Sequence, residues 1–315
     1  MNILFVVDPL DSFKIYKDTT FSMMREAQRR GHRVWSCEPR HIGWRTGGKV
    51  QAQVQAITLT GDADAWYRVD ETPVRALAEF DAVLMRKDPP FDSEFFYATH
   101  LLEQAEREGA KVFNKPAALR DHPEKLAIME FAQYTSPTLV TRSAAEVRAF
   151  HAEHQDVILK PLDGMGGMGI FRVKADGLNL GSIVETLNKD GAETIMVQRF
   201  VPEIVLGDKR ILVIGGKPVP FSLARIPQGS EVLGNLAAGG KGVAQPLTER
   251  DREIAEALGP VLAARGLLLV GLDAIGDCLT EINVTSPTCF QEISDQTGFD
   301  VPAMFADALE AALAG

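Results

Sequence analysis

One short stretch of the chain carries residue types suited to binding phosphate. Residues 158–172 read ILKPLDGMGGMGIFR, and Lys160 ends the apolar run of residues 157–160. Four glycines follow it: Gly164, Gly166, Gly167 and Gly169. A lysine that ends an apolar strand needs a partner for its charge, and glycines let backbone N–H groups approach phosphate oxygens closely. The stretch therefore predicts a triphosphate-binding flap, and the alternative is a flexible loop.

Three of these glycines also satisfy the G-x-G-x-x-G spacing of dinucleotide sites. In such a site a helix begins directly after the glycines and its N-terminus holds the pyrophosphate. Here residues 170–174, IFRVK, alternate between apolar and polar with the period of a strand. No Gly-Lys-Ser/Thr follows that would complete a Walker A motif. The glycines are therefore predicted to form the tip of a β-hairpin.

A second stretch, residues 271–284 (GLDAIGDCLTEINV), predicts a hairpin rich in oxygen ligands. With a turn at Gly276, Glu281 and Asn283 share one face because strand side chains alternate. Asp273 lies on the partner strand within reach of that face. Two carboxylates and an amide on a rigid face suit Mg²⁺. The alternative is a solvent-exposed polar face, and the neighbouring phosphate flap favours the metal site.

Two arginines end strand-like runs beside a long, glycine-rich segment. Arg210 begins one strand, and Arg225 ends the next strand, directly before residues 226–242 (IPQGSEVLGNLAAGGKG). Loops of this length inside compact domains are often lids. We predict a lid whose members include Ile226, Gly229, Gly239 and Gly240. An arginine at its hinge would stabilise charge on a transferring phosphoryl group.

The elements that position these residues change in character along the chain. Residues 1–113 alternate strands with helices, which predicts a parallel sheet covered on both faces, interrupted near residues 47–60 by antiparallel strands. A helix is predicted at residues 20–30 with Thr19 or Thr20 as N-cap, and another at residues 123–131. After residue 116 short strands in hairpins dominate, which indicates an α+β region with antiparallel sheet.

Composition limits the possible partners. The chain has 315 residues and a net charge of −10, which argues against nucleic acid as a partner. The N-terminus lacks a basic region, and no apolar run approaches the roughly 18 residues that span a membrane. The three cysteines are scattered and form no C-x-x-C pair. We therefore expect a cytoplasmic protein that binds neither nucleic acid nor membrane.

Together these features resemble the ATP-grasp superfamily of carboxylate–amine ligases, and within it the bacterial glutathione synthetases. The segments that carry the resemblance are MRKDPPFD, NKP, LRD, ILKPLDGMGG, LARIPQG, GNLAAGG and LTEINVTSPTC. The resemblance implies an N-terminal parallel α/β, Rossmann-like domain at 1–121. It also implies an ATP-grasp fold of two α+β subdomains, the first at 122–201 with the flap and the second at 202–315 with the lid and the metal hairpin.

The resemblance further implies the chemistry. ATP phosphorylates the C-terminal carboxylate of γ-glutamylcysteine to give an acyl phosphate. The amine of glycine then attacks it, so that glutathione forms and phosphate leaves. Two Mg²⁺ ions, or Mn²⁺ in their place, would bridge the phosphates, and the protein would be a homotetramer. No protein nucleophile is required, since positioning and charge neutralisation are sufficient.

Residue roles follow from the same resemblance. Arg210 and Arg225 would stabilise the acyl phosphate, and Asp273, Glu281 and Asn283 would hold the metal ions. ATP would be bound by Lys125, Lys160, the flap glycines, Gln198, Arg199, Phe200, Val201, Asp208 and Lys209. The other substrates would contact Lys17, Arg86, Ser286, Pro287 and Thr288. Two alternatives remain open: another ATP-grasp ligase, joining D-alanine or extending a glutamyl tail, and a non-catalytic nucleotide-binding protein.

Overall fold

The computed structural model describes residues 1–163, 166–228 and 241–314. Its N-terminal part contains the following strands and helices: β1 (Asn2–Val6), α1 (Thr19–Arg29), β2 (Arg33–Cys37), β3 (Ile42–Gly43), β4 (Gln51–Gln53), β5 (Gln55–Leu59), β6 (Tyr67–Glu71), β7 (Val74–Ala76), β8 (Ala82–Met85), α2 (Ser93–Arg107), β9 (Val112–Phe113) and α3 (Pro116–Asp121).

The main N-terminal sheet has the strand order β6-β5-β2-β1-β8-β9. Its centre is parallel, as predicted, because β1 pairs with β2 and β8, and β8 pairs with β9. Strands β5 and β6 extend the same sheet with antiparallel pairing. The N-cap of α1 is Asp18 rather than Thr19 or Thr20, because its carboxylate accepts from the backbone N–H of Phe21 at 2.7 Å.

A second, four-stranded sheet follows and carries the flap. Its elements in chain order are β10 (Thr138–Thr141), α4 (Ala144–His154), β11 (Val157–Pro161), β12 (Phe171–Val173), α5 (Leu180–Asn188) and β13 (Ile195–Arg199). The strand order is β10-β13-β11-β12, and every neighbouring pair is antiparallel. The predicted hairpin around the glycines is confirmed, since Leu159 of β11 lies opposite Phe171 of β12.

The helix predicted at residues 123–131 is wrong. The chain there forms the 3-10 segment Leu126–Tyr134, with a kink at Phe131 (φ −122°, ψ 40°). The carbonyl of Glu124, which an α-helix would use internally, instead accepts from the backbone N–H of Ile282 at 3.0 Å. A hydrogen bond to a distant strand therefore replaces one that would have continued a helix.

The C-terminal region is built on a five-stranded antiparallel sheet with the order β16-β15-β14-β17-β18. Its elements in chain order are β14 (Asp208–Ile214), β15 (Lys217–Ile226), β16 (Lys241–Pro246), α6 (Glu249–Ala264), β17 (Leu269–Ile275), β18 (Cys278–Asn283), α7 (Phe290–Thr297) and α8 (Val301–Ala314). Tight turns join β14 to β15 and β17 to β18, and Gly215 and Gly216 both adopt positive φ (56° and 79°) at the first turn.

The sheets share their hydrophobic cores. One buried cluster joins Leu4 and Val83 of the N-terminal sheet with Leu272 and Leu279 of the C-terminal sheet. The residue after β9 is also tied to β17, because the backbone N–H of Leu269 donates to the Asn114 side chain at 3.0 Å. The cleft that holds the predicted site residues is thus fixed between sheets that pack against each other.

Candidate active site

A cleft of about 530 Å³ is lined by residues from all three of these regions. It brings together most of the predicted site residues: Lys17, Arg86, Lys125, Lys160, Gly166, Gly167, Gln198, Arg199, Phe200, Val201, Asp208, Arg210, Arg225, Asp273, Glu281, Asn283, Ser286 and Thr288. Four more predicted residues are described but do not line it: Gly169, Lys209, Ile226 and Pro287. The remaining four lie outside the described residues: Gly164, Gly229, Gly239 and Gly240.

A buried network of two arginines and two aspartates forms the wall of the cleft. Arg210 donates to both oxygens of Asp273, at 2.5 and 3.0 Å. Arg225 lies 2.9 Å from Asp273 and 2.6 Å from Asp208. Strand register produces these pairs, because Arg210 lies opposite Asp273 and Asp208 lies opposite Arg225. Side chains directly opposite each other share a face of the sheet.

The two aspartates of this network differ in their affinity for protons. Although burial opposes ionisation, the guanidinium groups of Arg210 and Arg225 hold the pKa of Asp273 well below its usual range. Burial raises the pKa of Asp208 to about 6, with Arg225 opposing and Asp273 adding to the shift. One oxygen of Asp208 is buried and accepts no hydrogen bond within the described part of the chain. Asp208 therefore retains acceptor capacity for a ligand.

Two lysines bring further positive charge to the cleft. The ammonium of Lys125 lies 3.3 Å from the Glu281 carboxylate and donates to the carbonyl of Leu162 at 3.3 Å. The ammonium of Lys160 donates to the carbonyl of Thr280 at 3.3 Å. Burial lowers the pKa of Lys160, and the charge of Glu281 opposes this shift. These cations, with the arginine pair, can neutralise several phosphate charges.

The predicted metal ligands lie on one hairpin face that borders the cleft. Asp273 of β17 lies opposite Glu281 of β18, and Asn283 lies two residues further along β18. The amide nitrogen of Asn283 donates to the carbonyl of Gly271 at 3.3 Å, so its oxygen is the end directed away from that contact. These oxygen donors fit Mg²⁺ or Mn²⁺.

An all-acidic metal site is not present in the described ranges. Among residues 1–163, 166–228 and 241–314, no three His, Cys, Asp or Glu side chains are grouped to hold an ion. Both oxygens of Asp273 already accept from guanidinium groups. A metal site here would therefore depend first on Glu281 and on the amide oxygen of Asn283, and Asp273 would join them by exchanging a guanidinium contact for the ion.

The flap glycines adopt a conformation that other residues rarely take. Gly166 and Gly167 line the cleft with φ of 65° and 87°. Gly169 (φ 72°) is set back from the cleft, and a Cβ there would lie 3.1 Å from Cγ of Pro161. The positive φ values and this close approach explain the glycines. Because strand β12 follows them, the dinucleotide interpretation is excluded.

A group of apolar side chains that line the cleft is here called the apolar slot, and it includes Phe200 and Val201, which follow β13. The Gln198 side chain donates to the Thr138 hydroxyl at 3.0 Å, and the Phe200 ring lies 3.5 Å from the Arg172 guanidinium. Sequence reasoning missed the aliphatic residues that complete the slot: Ile158, Ile170, Ile204 and Ile275. They carry no distinguishing signal, because an isoleucine in or beside a strand is equally typical of a core.

The part of the cleft contributed by the N-terminal sheet is built around Arg86, which follows β8 and is 6% exposed. Its guanidinium donates to the Thr20 hydroxyl at 3.1 Å and to the carbonyl of Pro287 at 2.9 Å. Burial lowers the pKa of Arg86 to about 10, with Asp88 and Asp18 opposing. Pro287 therefore acts through its carbonyl, which holds Arg86, and does not itself face the cleft.

Lys209 is not part of the cleft. Its ammonium pairs with Asp251 of α6 and donates to the carbonyl of Gly276 at 2.9 Å. The two ends of the predicted lid are also strand residues rather than loop, since Ile226 of β15 lies opposite Lys241 of β16. The structure thus places the start and end of the segment on neighbouring strands, directly beside Arg225.

Two glutamates of the cleft were missed by sequence reasoning. Glu124 accepts from the backbone N–H groups of Val284 and Thr285, at 2.9 and 3.1 Å. Burial raises its pKa, and the charge of Glu281 adds to the shift. Glu292 of α7 also lines the cleft. Neither belongs to a recognisable spacing, and the sequence offered no signal for them.

The arrangement is suited to a nucleoside triphosphate and an acidic acceptor. The cleft is lined by cations around a carboxylate–amide face, by an apolar slot and by a buried arginine. Such a site can align two anionic reactants and neutralise charge as it is transferred. None of the helices in the described ranges is both long and apolar enough to span a membrane.

Two family models match nearly the whole chain. Residues 1–120 match the model described as "Prokaryotic glutathione synthetase, N-terminal domain". Residues 124–298 match "Prokaryotic glutathione synthetase, ATP-grasp domain". The boundary between the two matched ranges lies next to the end of α3, before the 3-10 segment Leu126–Tyr134.

Curated relatives and solved structures agree with these matches. A glutathione synthetase from Ralstonia nicotianae is 62% identical over 312 residues, 99% of this chain and 96% of the relative. One from Neisseria meningitidis serogroup A is 58% identical over 313 residues, 98% of each chain. D-cycloserine synthetase DcsG superposes with a TM-score of 0.69 at 18% identity, covering 99% of both chains. The ATP-grasp ligase PsnB, complexed with minimal precursor, Mg and ADP, gives 0.62 at 19%, covering 99% of this chain and 97% of its own.

Proposed function

The chain belongs to the prokaryotic glutathione synthetase family, and we propose that the cleft between its sheets is the active site. The protein is an ATP-dependent ligase that joins γ-glutamylcysteine and glycine. The reaction passes through an acyl phosphate and releases ADP and phosphate. The observation that supports the cleft most strongly is the convergence of Lys125, Lys160, Arg210 and Arg225 around one carboxylate–amide face.

ATP is proposed to lie along the second sheet, with its base in the apolar slot. Arg199, Phe200 and Val201 border the base, and Gln198 closes the slot beneath it. Lys125 and Lys160 bind the phosphates, and the flap, including Gly164, Gly166, Gly167 and Gly169, covers them. Asp208 accepts from a ribose hydroxyl, which its unpartnered oxygen supports. Lys209 is left out of this assignment because its ammonium pairs with Asp251.

ATP-grasp ligases use ATP together with divalent metal ions. We propose two Mg²⁺ ions here, replaceable by Mn²⁺, held by Glu281 and Asn283 together with Asp273. When bound, the ions neutralise phosphate charge and orient the phosphates. The amide oxygen of Asn283 and the cleft position of Glu281 support this assignment.

Arg210 and Arg225 are proposed to bind the carboxylate of the dipeptide as it becomes an acyl phosphate. They are rigidly held by Asp273 and Asp208, so their charge is positioned before the substrate arrives. The glycine amine then attacks the acyl carbon, and the same guanidinium groups stabilise the phosphate that leaves. The segment containing Ile226, Gly229, Gly239 and Gly240 is proposed to close over this step and exclude water.

The glutamyl end of the dipeptide is proposed to lie in the part of the cleft around Arg86. Lys17 and Arg86 supply positive charge for its carboxylate, and Ser286 and Thr288 seat the peptide. Pro287 contributes by fixing the orientation of Arg86 through its carbonyl. Among the described residues the guanidinium of Arg86 donates to a hydroxyl and a carbonyl and forms no salt bridge, which supports a role in anion binding.

We also propose that the enzyme acts in the cytoplasm as a homotetramer. All three cysteines, Cys37, Cys278 and Cys289, are free thiols, which supports a reducing compartment. The tetramer rests on the resemblance to the bacterial family. Sedimentation equilibrium of the purified protein would test it, and a monomeric mass would contradict it.

The experiment that tests the function measures phosphate release from ATP and Mg²⁺. The wild type is expected to release phosphate only when γ-glutamylcysteine and glycine are both present. Glu281→Gln is expected to lower kcat by about 100-fold or more, because it removes a negative metal ligand. Glu253→Gln serves as the matched control, since Glu253 is exposed and, in the described part of the chain, its ion pair is with Arg250.

Two results would contradict this function. Release with D-alanine alone would indicate a different ATP-grasp ligase. ATP binding without release in any acceptor mixture would indicate a nucleotide-binding protein that does not catalyse ligation. If Glu281→Gln leaves kcat unchanged, the metal site must be assigned to other residues, while the ligase reaction itself still stands.

A further inference from the structure

Glu292 is a carboxylate of the cleft that the reaction scheme does not yet use. It lies in the first turn of α7 and lines the cleft near Thr288. Its Oε2 is buried and accepts no hydrogen bond from any described residue. No salt bridge joins Glu292 to the rest of the described chain, whereas Asp273 and Asp208 are both paired with arginine.

The surroundings of Glu292 do not compensate for this unpaired oxygen. Burial raises the pKa of its carboxyl, while its own backbone N–H and the charges of Lys17 and Arg210 oppose the shift and Asp295 adds to it. Lys17 approaches from the segment before α1 and Arg210 from β14. Neither cation comes within salt-bridge distance. The Oε2 atom of this half-buried side chain is itself buried without a partner among the described residues, which costs free energy that binding of a cationic group would recover.

The remaining charged groups of the cleft narrow the kind of ligand. The lysines and arginines suit phosphates and carboxylates, and they already pair with Glu281, Asp208 and Asp273. Three further carboxylates line the cleft: Glu124 and Asp18 accept from backbone N–H groups, and the charges of Asp88 and Asp18 act on Arg86. Both organic substrates of the ligase also carry a primary ammonium group: the amine of glycine and the α-ammonium of the glutamyl residue. ATP carries none. An ammonium entering this cleft needs an acidic partner that is not already engaged.

We propose that Glu292 binds the ammonium group of a substrate and so acts as a specificity-determining residue of the ligase. The proposal rests on the proposed function of the cleft. The glycine amine and the glutamyl ammonium share the chemistry that Glu292 recognises. If Glu292 binds the glycine amine, the KM of glycine depends on it. If it binds the glutamyl ammonium, the KM of γ-glutamylcysteine depends on it, so steady-state kinetics can distinguish the two.

The test is steady-state kinetics of Glu292→Gln with ATP, γ-glutamylcysteine and glycine each varied in turn. We expect the KM of one ammonium-bearing substrate to rise about 10- to 100-fold, as for loss of a charged hydrogen-bond partner. The KM of ATP should stay within about twofold. A higher KM for glycine would show that Glu292 binds the acceptor amine. A higher KM for γ-glutamylcysteine would show that it binds the glutamyl ammonium. Glu292→Asp, which retains the charge, should recover part of the loss.

The matched control is Asp295→Asn, an exposed carboxylate one turn further along α7. It removes the same charge from the same helix without facing the cleft, and all three KM values should remain unchanged. Wild-type turnover with both substrates is measured first, so failure of the reaction itself is recognised separately. The proposal is overturned if Glu292→Gln leaves both KM values unchanged, or if it lowers Tm and raises all three alike. Either result would mean that Glu292 only stabilises the start of α7.

Discussion

Asp208, Lys209 and Arg210 are consecutive residues of β14 that face two different environments. Asp208 and Arg210 point into the cleft, whereas Lys209 points to the opposite face and pairs with Asp251 of α6. The alternation of strand side chains requires this separation. Adjacent charged residues can therefore serve catalysis and stability separately.

Lys209→Met is expected to destabilise the protein without weakening ATP binding. Asp251 is fully buried, so loss of its cation leaves an uncompensated charge that costs about 3–5 kcal/mol. Urea unfolding should show this loss, while the KM of ATP stays unchanged. Asp208→Asn is the matched variant on the other face, and it should raise the KM of ATP. The assignment fails if Lys209→Met raises that KM and leaves stability intact.

Helix α1 is joined to α8 by charged side chains. Glu26, which is 5% exposed, accepts from Arg29 and Arg30 at 2.6 Å each. Arg30 extends to Asp307 of α8 at 2.7 Å. The hydrogen bond from Arg29 lowers the pKa of Glu26, burial opposes this shift, and Arg30 adds to it. The ionised carboxylate thus holds both arginines in place.

Glu26→Gln is expected to make stability less dependent on pH in the acidic range. Because folding lowers the pKa of Glu26, its stabilisation is present above the usual value of 4.5 and is lost as pH falls through the lower folded value. The Tm difference between wild type and variant should be largest near neutral pH and shrink towards acid. Thermal unfolding across this range measures it, with the exposed Glu253→Gln as control. A difference that grows on acidification would contradict the argument.

At the scale of the whole molecule, Asn114 connects the N-terminal sheet to the C-terminal one. Its amide nitrogen donates to the carbonyls of Leu269 and Val284, both at 2.8 Å, and its oxygen accepts from the Leu269 N–H at 3.0 Å. Two buried clusters also have members from both sheets. We therefore expect the two regions to unfold as one cooperative unit.

Asn114→Ala is expected to lower the free energy of unfolding by about 2–4 kcal/mol, because three backbone groups lose their partner in a buried place. Hydrogen exchange followed by mass spectrometry should show β1 and β17 losing protection together. Loss of protection in β17 alone would indicate that the regions unfold independently. The midpoint of denaturant unfolding gives the size of the effect.

The sequence by itself determined the features that depend on neighbouring residues. Alternation after Gly169 predicted a strand and so excluded the dinucleotide interpretation, which the pairing of β11 with β12 confirms. Glu281 and Asn283 could be placed on one face because period-two alternation needs no tertiary information. The central parallel sheet followed in the same way from alternating strands and helices.

Only the tertiary structure decided which distant groups meet. Glu124 is not part of the predicted helix, because the backbone N–H groups that donate to its carboxylate lie some 160 residues away at Val284 and Thr285. Arg210 meets Asp273 because β14 and β17 pair in one particular register. Register and packing are set by the cores of all the sheets together, and no local pattern encodes them. For the same reason, only the packing of α7 beside the cleft reveals that Oε2 of Glu292 lacks a partner among the described residues.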